Sequence, residues 1–217
     1  MKRSGRFRVY RVVESVPHIN IQTVDSPTLY SVYQSGYGEL QPTVDALETG
    51  DLIEATLAGD PDDDAEPWRL TALDRIDRVR TAFAVDVDPP EVARECWTPD
   101  RTESAYTLLT ENGTAVGVCG VQPRAPLPDG AFVPSVMTGL FPLESEFDSV
   151  PRVGDPALEA VFLDPDPPEA SSYAFPYGVI YLFTRSSTAV AERLRERYDC
   201  PLDTDTRPEF DPYAIRR

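Results

Sequence analysis

Five basic residues, Lys2, Arg3, Arg6, Arg8 and Arg11, fall within the first eleven positions of the chain, and no acid stands among them. On an extended strand successive side chains alternate, so Arg6, Arg8 and Tyr10 share one face and Phe7 and Val9 the other. Guanidinium groups interleaved with an aromatic ring suit phosphate pairing and base stacking, the chemistry by which small β-structures hold RNA or single strands. Tyr30, Tyr33 and Tyr37 would add stacking surface. The expected nucleic-acid-binding set is therefore Arg3, Arg6, Arg8, Tyr10 and Arg11. A competing expectation is intramolecular: with 37 Asp and Glu in the chain, these arginines can pair with its own carboxylates.

A weaker anion site is offered by Arg185, Ser186 and Ser187, where hydroxyls, a guanidinium and a helix start meet the carboxyl end of an apolar strand. An ordinary helix cap at Ser187 or Thr188 accounts for the same residues. Asp60, Asp62 and Asp64 have the 1-3-5 spacing of a calcium loop, but Ala65 and Thr71 stand where that loop needs Gly and Glu. A solvated hairpin tip is expected there, and a solvated acidic loop at Asp164 and Asp166. His18 is the one histidine, so any Ser-His or Cys-His dyad must use it, and a centre built on several histidines is excluded. Neither glycine-rich phosphate fingerprint is present, and Gly117-x-x-Gly120 reads as close backbone packing. Cys96, Cys119 and Cys200 form no C-x-x-C pair. No cofactor and no metal are expected.

The setting of these residues is unusual. Of 20 basic residues in 217, only Lys2 is lysine, and the formal net charge is −17. Hydrated carboxylates without lysine stems suit a surface working in molar salt, which strengthens apolar burial. Thermal adaptation would bring lysine together with glutamate. In about 1 M salt the Debye length falls to about 3 Å, so the acidity is nearly silent about nucleic acid. The longest uncharged run, Ala170 to Thr184, holds Pro176 and falls short of the ~20 residues of a bilayer span. No apolar signal segment opens the chain. A cytoplasmic protein of a halophile with no membrane contact is expected.

The elements that must position these groups begin as strands. Arg6–Val13 and Ile19–Val24 alternate, while Ser26–Tyr33 suits a strand or a short helix. Gly50-Asp51 turns into a strand to Leu57, and an acidic loop, Gly59–Pro67, leads to Trp68–Leu73 and then Arg78–Val87. Beyond Asp88-Pro89-Pro90 the pattern predicts a helix to Trp97, a hairpin about Asn112-Gly113, a strand over Ala157–Leu163, a two-sided buried strand over Gly178–Thr184 and a helix to Tyr198. Gly50-Asp51 and Gly154-Asp155 open similar strand–loop units, a weak internal echo. The expected fold is α+β: a small β-barrel-like domain over 1–87, then an α+β domain over 88–217 with a mixed or antiparallel sheet and an acidic tail.

The Leu-x-x-Gly-Asp lead and long hairpin of Leu47–Asp77 resemble small OB-type β-barrels. The whole chain resembles uncharacterised haloarchaeal proteins in composition, a likeness that brings no catalytic residues. The function expected is a non-catalytic binding or accessory factor, with RNA or a ribonucleoprotein as partner. Two alternatives stand beside it: a protein-interaction subunit using the region of Trp97 and Tyr181 or the tail, and an enzyme acting on a small anionic ligand near Arg185 and Ser187.

Overall fold

The computed structural model describes residues 1–63, 66–149, 157–184, 187–211 and 213. Alternating apolar residues build a first sheet from β1 (Lys2–Tyr10), β2 (His18–Thr23), β3 (Leu29–Tyr33), β4 (Asp51–Ala58) and β5 (Arg69–Arg78). Its order is β3-β2-β1-β4-β5, with every neighbouring pair antiparallel. Phe7, Val9, Ile19, Ile21, Ile53 and Leu57 share the concave face, and Val44 of the short helix α1 (Gln41–Asp45) closes one end of that core. Strong curvature returns β3 toward the start of β5. The Tyr33 N–H donates to Trp68 O at 3.0 Å and the Trp68 N–H to Ser31 O at 2.8 Å.

That parallel bridge, Val32 with Trp68, is the one pairing of these edges among the described residues. The expected barrel is therefore not closed. From Arg69 onward β5 spends its hydrogen bonds on β4 and then continues through Val79 into the second sheet.

The second sheet comprises β6 (Arg80–Val85), β7 (Ala105–Glu111), β8 (Thr114–Pro123), β9 (Ala157–Asp164) and β10 (Tyr177–Thr184), in the order β6-β9-β10-β8-β7. β6 runs parallel to β9 and the other pairs are antiparallel, so the sheet is mixed. β6 belongs to this sheet although it precedes residue 87. Helices α2 (Glu91–Cys96) and α5 (Thr188–Tyr198) cover one face. α3 (Phe132–Thr138) and α4 (Leu143–Ser149) cover the other, in a proline-rich stretch between the predicted hairpin and the Ala157–Leu163 strand. Covering both faces buries all eight residues of β10, which explains its unbroken apolar run. Asn112 and Gly113, at φ 52° and 79°, make the hairpin turn that this dipeptide favours. The architecture is a mixed α+β fold. The internal echo falls partly on Gly154 and Asp155, outside the described residues.

Candidate functional site

Arg8 and Tyr10 do project from the same face of β1, but that face is not free. It is the surface on which the second half of the chain docks. Arg8 is buried; its Nε donates to Glu144 Oε1 at 2.6 Å, its Nη1 to Gly50 O at 2.7 Å, and its guanidinium lies 5.5 Å from the Phe147 ring centre. The Tyr10 hydroxyl accepts the Leu143 N–H at 2.9 Å, supplying the first turn of α4 with a partner, and burial pushes that hydroxyl far above its ordinary pKa. Asn20 and Gln22 continue the contact on β2: their amides donate to Thr138 O at 2.8 Å and Gly139 O at 3.2 Å. The exposed face expected from alternation is thus corrected at Arg8 and Tyr10. Alternation placed the side chains rightly, but the partner is the chain's own α3–α4 layer.

The other members of the basic stretch scatter. Arg6 stays half exposed, 3.7 Å from Asp25. Arg3 points to the opposite side, donates to the Tyr30 hydroxyl at 2.6 Å and lies 5.6 Å from that ring centre. Tyr33 carries the Arg69 guanidinium at 4.3 Å, and the Tyr37 hydroxyl donates to Tyr33 O at 2.7 Å. Arg11 enters a cavity.

That cavity is a cleft of about 470 Å³ between the two sheets, at the junction where β5 passes into β6. Among the described residues four arginines line it, Arg11, Arg78, Arg80 and Arg207, with the hydroxyl-bearing Thr49, Thr81, Thr204 and Thr206. The arginines are half-buried, whereas Glu14, Asp45, Glu48, Asp203 and Asp205 are exposed, so cations lie deeper than the acidic rim. Arg11 is held through backbone carbonyls, its Nη1 donating to Asp45 O and Leu47 O, both at 2.9 Å. Burial lowers its pKa first and the Arg207 charge lowers it further, against the opposing pull of Asp45, Asp205 and Glu14. Arg78 is lowered likewise, by burial and then by Arg80. Arg207 grips Asp205, with Nε 2.9 Å from Oδ1, and donates to the carbonyls of Arg11 and Val12. Arg78 pairs with Glu48, and Arg80 with the buried Glu159 at 3.4 Å.

The walls are tied together by short links. The Thr81 hydroxyl donates to Thr49 O at 3.2 Å and the Phe83 N–H to Thr206 Oγ1 at 2.9 Å. Gly50 makes the junction possible: at φ 93° a Cβ would stand 2.0 Å from Val79 O. Beside it the buried Asp51 carboxyl is raised to about 6 by burial, which Arg75 and Arg8 only partly offset.

Residues 1–203 match the model of a family of unknown function, DUF6663. The chain belongs to the DUF6663 family. No curated protein and no solved structure matches it. The DUF6663 match spans both sheets and α5, and it ends just before Thr204, Asp205, Thr206 and Arg207 complete the cleft.

Elsewhere in this DUF6663 chain the anion-site residues Arg185 and Ser186 lie outside the described residues. Ser187 is buried at the start of α5, but its hydroxyl meets the Thr184 hydroxyl at 3.0 Å and makes no capping bond. Asp60 stays exposed and accepts the Asp62 N–H at 3.0 Å, a turn contact, while Asp64 is outside the described residues. His18 is near Tyr213, with 3.2 Å between ring nitrogen and hydroxyl. Tyr181 is buried, stacked on Phe183, and so presents no partner surface.

The reading of Asp164 and Asp166 as solvated is overturned. Both are buried around Arg124, which pairs with Asp164, reaches Asp166 Oδ2 at 3.1 Å and lies 3.8 Å from the Tyr173 ring centre. The Ala174 and Phe175 N–H groups donate to Asp166 at 2.7 and 3.0 Å, so the cluster braces a loop internally. The cleft itself was missed because Arg11, Arg78, Arg80 and Arg207 converge only through the crossing of β5 into β6. The pair Arg78-x-Arg80 at that crossing was its one local trace.

Proposed function

We propose that this protein is a non-catalytic binding or accessory factor whose inter-sheet cleft holds a small phosphorylated ligand. The observation that carries the reading is that Arg11, Arg78, Arg80 and Arg207, all half-buried, line one cleft. Arg78, Arg80 and Arg207 each hold a carboxylate, and Arg11 is held through backbone carbonyls. An anion in the cleft would therefore meet the Arg11 charge and compete with the exposed Glu48 and Asp205 for Arg78 and Arg207. The volume is that of a site for a nucleotide-sized molecule. Threonine hydroxyls around the guanidinium groups add donors that fix orientation. Thermal unfolding of the intact chain in molar potassium chloride with pyrophosphate and nucleoside diphosphates tests the reading. At about a hundredfold excess over Kd, binding contributes about 2.7 kcal/mol, a rise of roughly 5–10 °C for this size. The rise should vanish in an Arg11→Ala/Arg80→Ala variant; a flat response to every phosphate in the wild type counts against the cleft.

A second reading keeps RNA as the partner, displaced from the Arg8 face to the seam between β3 and β5. Arg69 over Tyr33 and Arg3 over Tyr30 favour it, since guanidinium–aromatic pairs accept bases by stacking. The strand order, α1 between β3 and β4, and the parallel β3–β5 bridge are consistent with the OB-type likeness. RNA retention lost on Arg3→Ala/Arg69→Ala would support this reading, and retention unchanged in that variant would remove it. The surroundings we propose for either role are a salt-rich cytoplasm, on the strength of the composition alone.

A further inference from the structure

The sheets differ in how their edges are finished. β6 at one end of the second sheet is covered by the tail, through the Phe83 N–H to Thr206 contact at 2.9 Å. In the first sheet β3 and β5 meet at the Val32–Trp68 bridge, and β5 carries Asp74, Arg75, Asp77 and Arg78 along its run. β7 is finished in neither way. It pairs with β8 on one side, and among the described residues its polar contacts to the helices are at its ends, Cys96 Sγ lying 3.6 Å from Ala105 O and Arg193 Nη2 2.5 Å from Glu111 Oε1. From Ser104 to Thr110 it has no charged residue, in a chain that is 26% charged. Leu108 at its middle is 48% exposed. The bulge between the strands adds its extra residue, Val116, to β8, so β7 itself stays regular. Charge, proline and bulges are the usual defences of an edge, and the centre of β7 lacks all three.

We propose that β7 pairs antiparallel with β7 of a second copy of this chain, joining two five-stranded sheets into one. A twofold axis through Leu108 sets the two Leu108 side chains opposite each other, Thr107 opposite Leu109, and Tyr106 opposite Thr110. Glu111 then faces Ala105 of the other copy, so no like charges meet within the ribbon, although each chain carries −17. This self-complementarity selects a second copy over a foreign strand. A ribbon of seven residues is small beside the roughly 1,200–2,000 Å² of stable interfaces, so the dimer is concentration-dependent. Molar salt strengthens it by favouring burial of Leu108.

Light scattering on the intact chain across a concentration series in molar potassium chloride reads the mass directly. The expected result is a rise from 24.1 kDa toward twice that value. Leu108→Asp, at an exposed position, should hold the mass at one chain with an unchanged circular dichroism spectrum. Ile76→Asp, at an equally exposed apolar residue of β5, should leave the dimer intact. Amide exchange over Tyr106–Thr110 should slow as wild-type concentration rises. A monomer at every concentration, a dimer that survives Leu108→Asp, or exchange at β7 independent of concentration would each overturn the proposal.

Discussion

Arg8 and Glu144 give up water together, and a guanidinium so placed is tolerated only while its carboxylate and the Gly50 carbonyl stay in place. Truncating Arg8→Ala strands a carboxylate that is 21% exposed and removes the tie to Gly50. A loss of about 2–4 kcal/mol in urea unfolding is expected, larger than any effect at Arg6, whose partner Asp25 is solvated. Two other carboxyls work in the opposite sense. Asp51 is raised from 3.8 to about 6 and Glu146 from 4.5 to about 7, both by burial. Among the described residues the buried Glu146 Oε2 has no hydrogen-bond partner, and Ser104 only partly offsets the effect of burial on the carboxyl. The folded chain therefore keeps protons that the unfolded chain has released. Their contribution is full below about pH 4 and is lost as pH rises through about 6 for Asp51 and about 7 for Glu146. Glu146→Gln should raise stability at pH 8 by about 2 kcal/mol and change it little at pH 4, read from denaturant midpoints at the two pH values.

At the scale of elements, periodicity carried most of what was legible. The β10 run, the Asn112-Gly113 turn, α2 and α5 are all set by local pattern, and each stands where its residues predict. α3 was hidden because Pro134 sits inside it and all seven of its residues are buried, leaving no amphipathic stripe to read. The docking face of β1 was hidden for a different reason. Alternation says which residues share a face, but not whether water or another layer covers it. Asp164 and Asp166 show the same gap, since their counter-charge Arg124 lies 40 and 42 residues away in sequence. The crossing from β4–β5 to β6 depends on one backbone geometry. Gly50→Ala places a methyl against Val79 O at a left-handed φ, and should cost at least about 2 kcal/mol in thermal or urea unfolding. Gly113→Ala, also at positive φ but in open space, should cost less than Gly50→Ala.

The molecule as a whole is two sheets joined where β5 passes through Val79 into β6, locked by the Arg8 and Tyr10 face and hollowed at the arginine-lined cleft. Its net charge of −17 opposes compaction at low ionic strength. Dilution from molar to millimolar potassium chloride should lower the melting temperature of the wild type, and a midpoint indifferent to salt would remove the habitat reading. The central claim concerns the cleft, where half-buried cations sit inside a rim of exposed carboxylates. Calorimetric titration of a nucleoside diphosphate into the intact chain, beside the Arg11→Ala/Arg80→Ala variant, tests it most directly. Saturable one-to-one binding by the wild type, abolished in a variant that still melts cooperatively, is the predicted result. Absence of binding by the wild type, or equal binding by both chains, would contradict it.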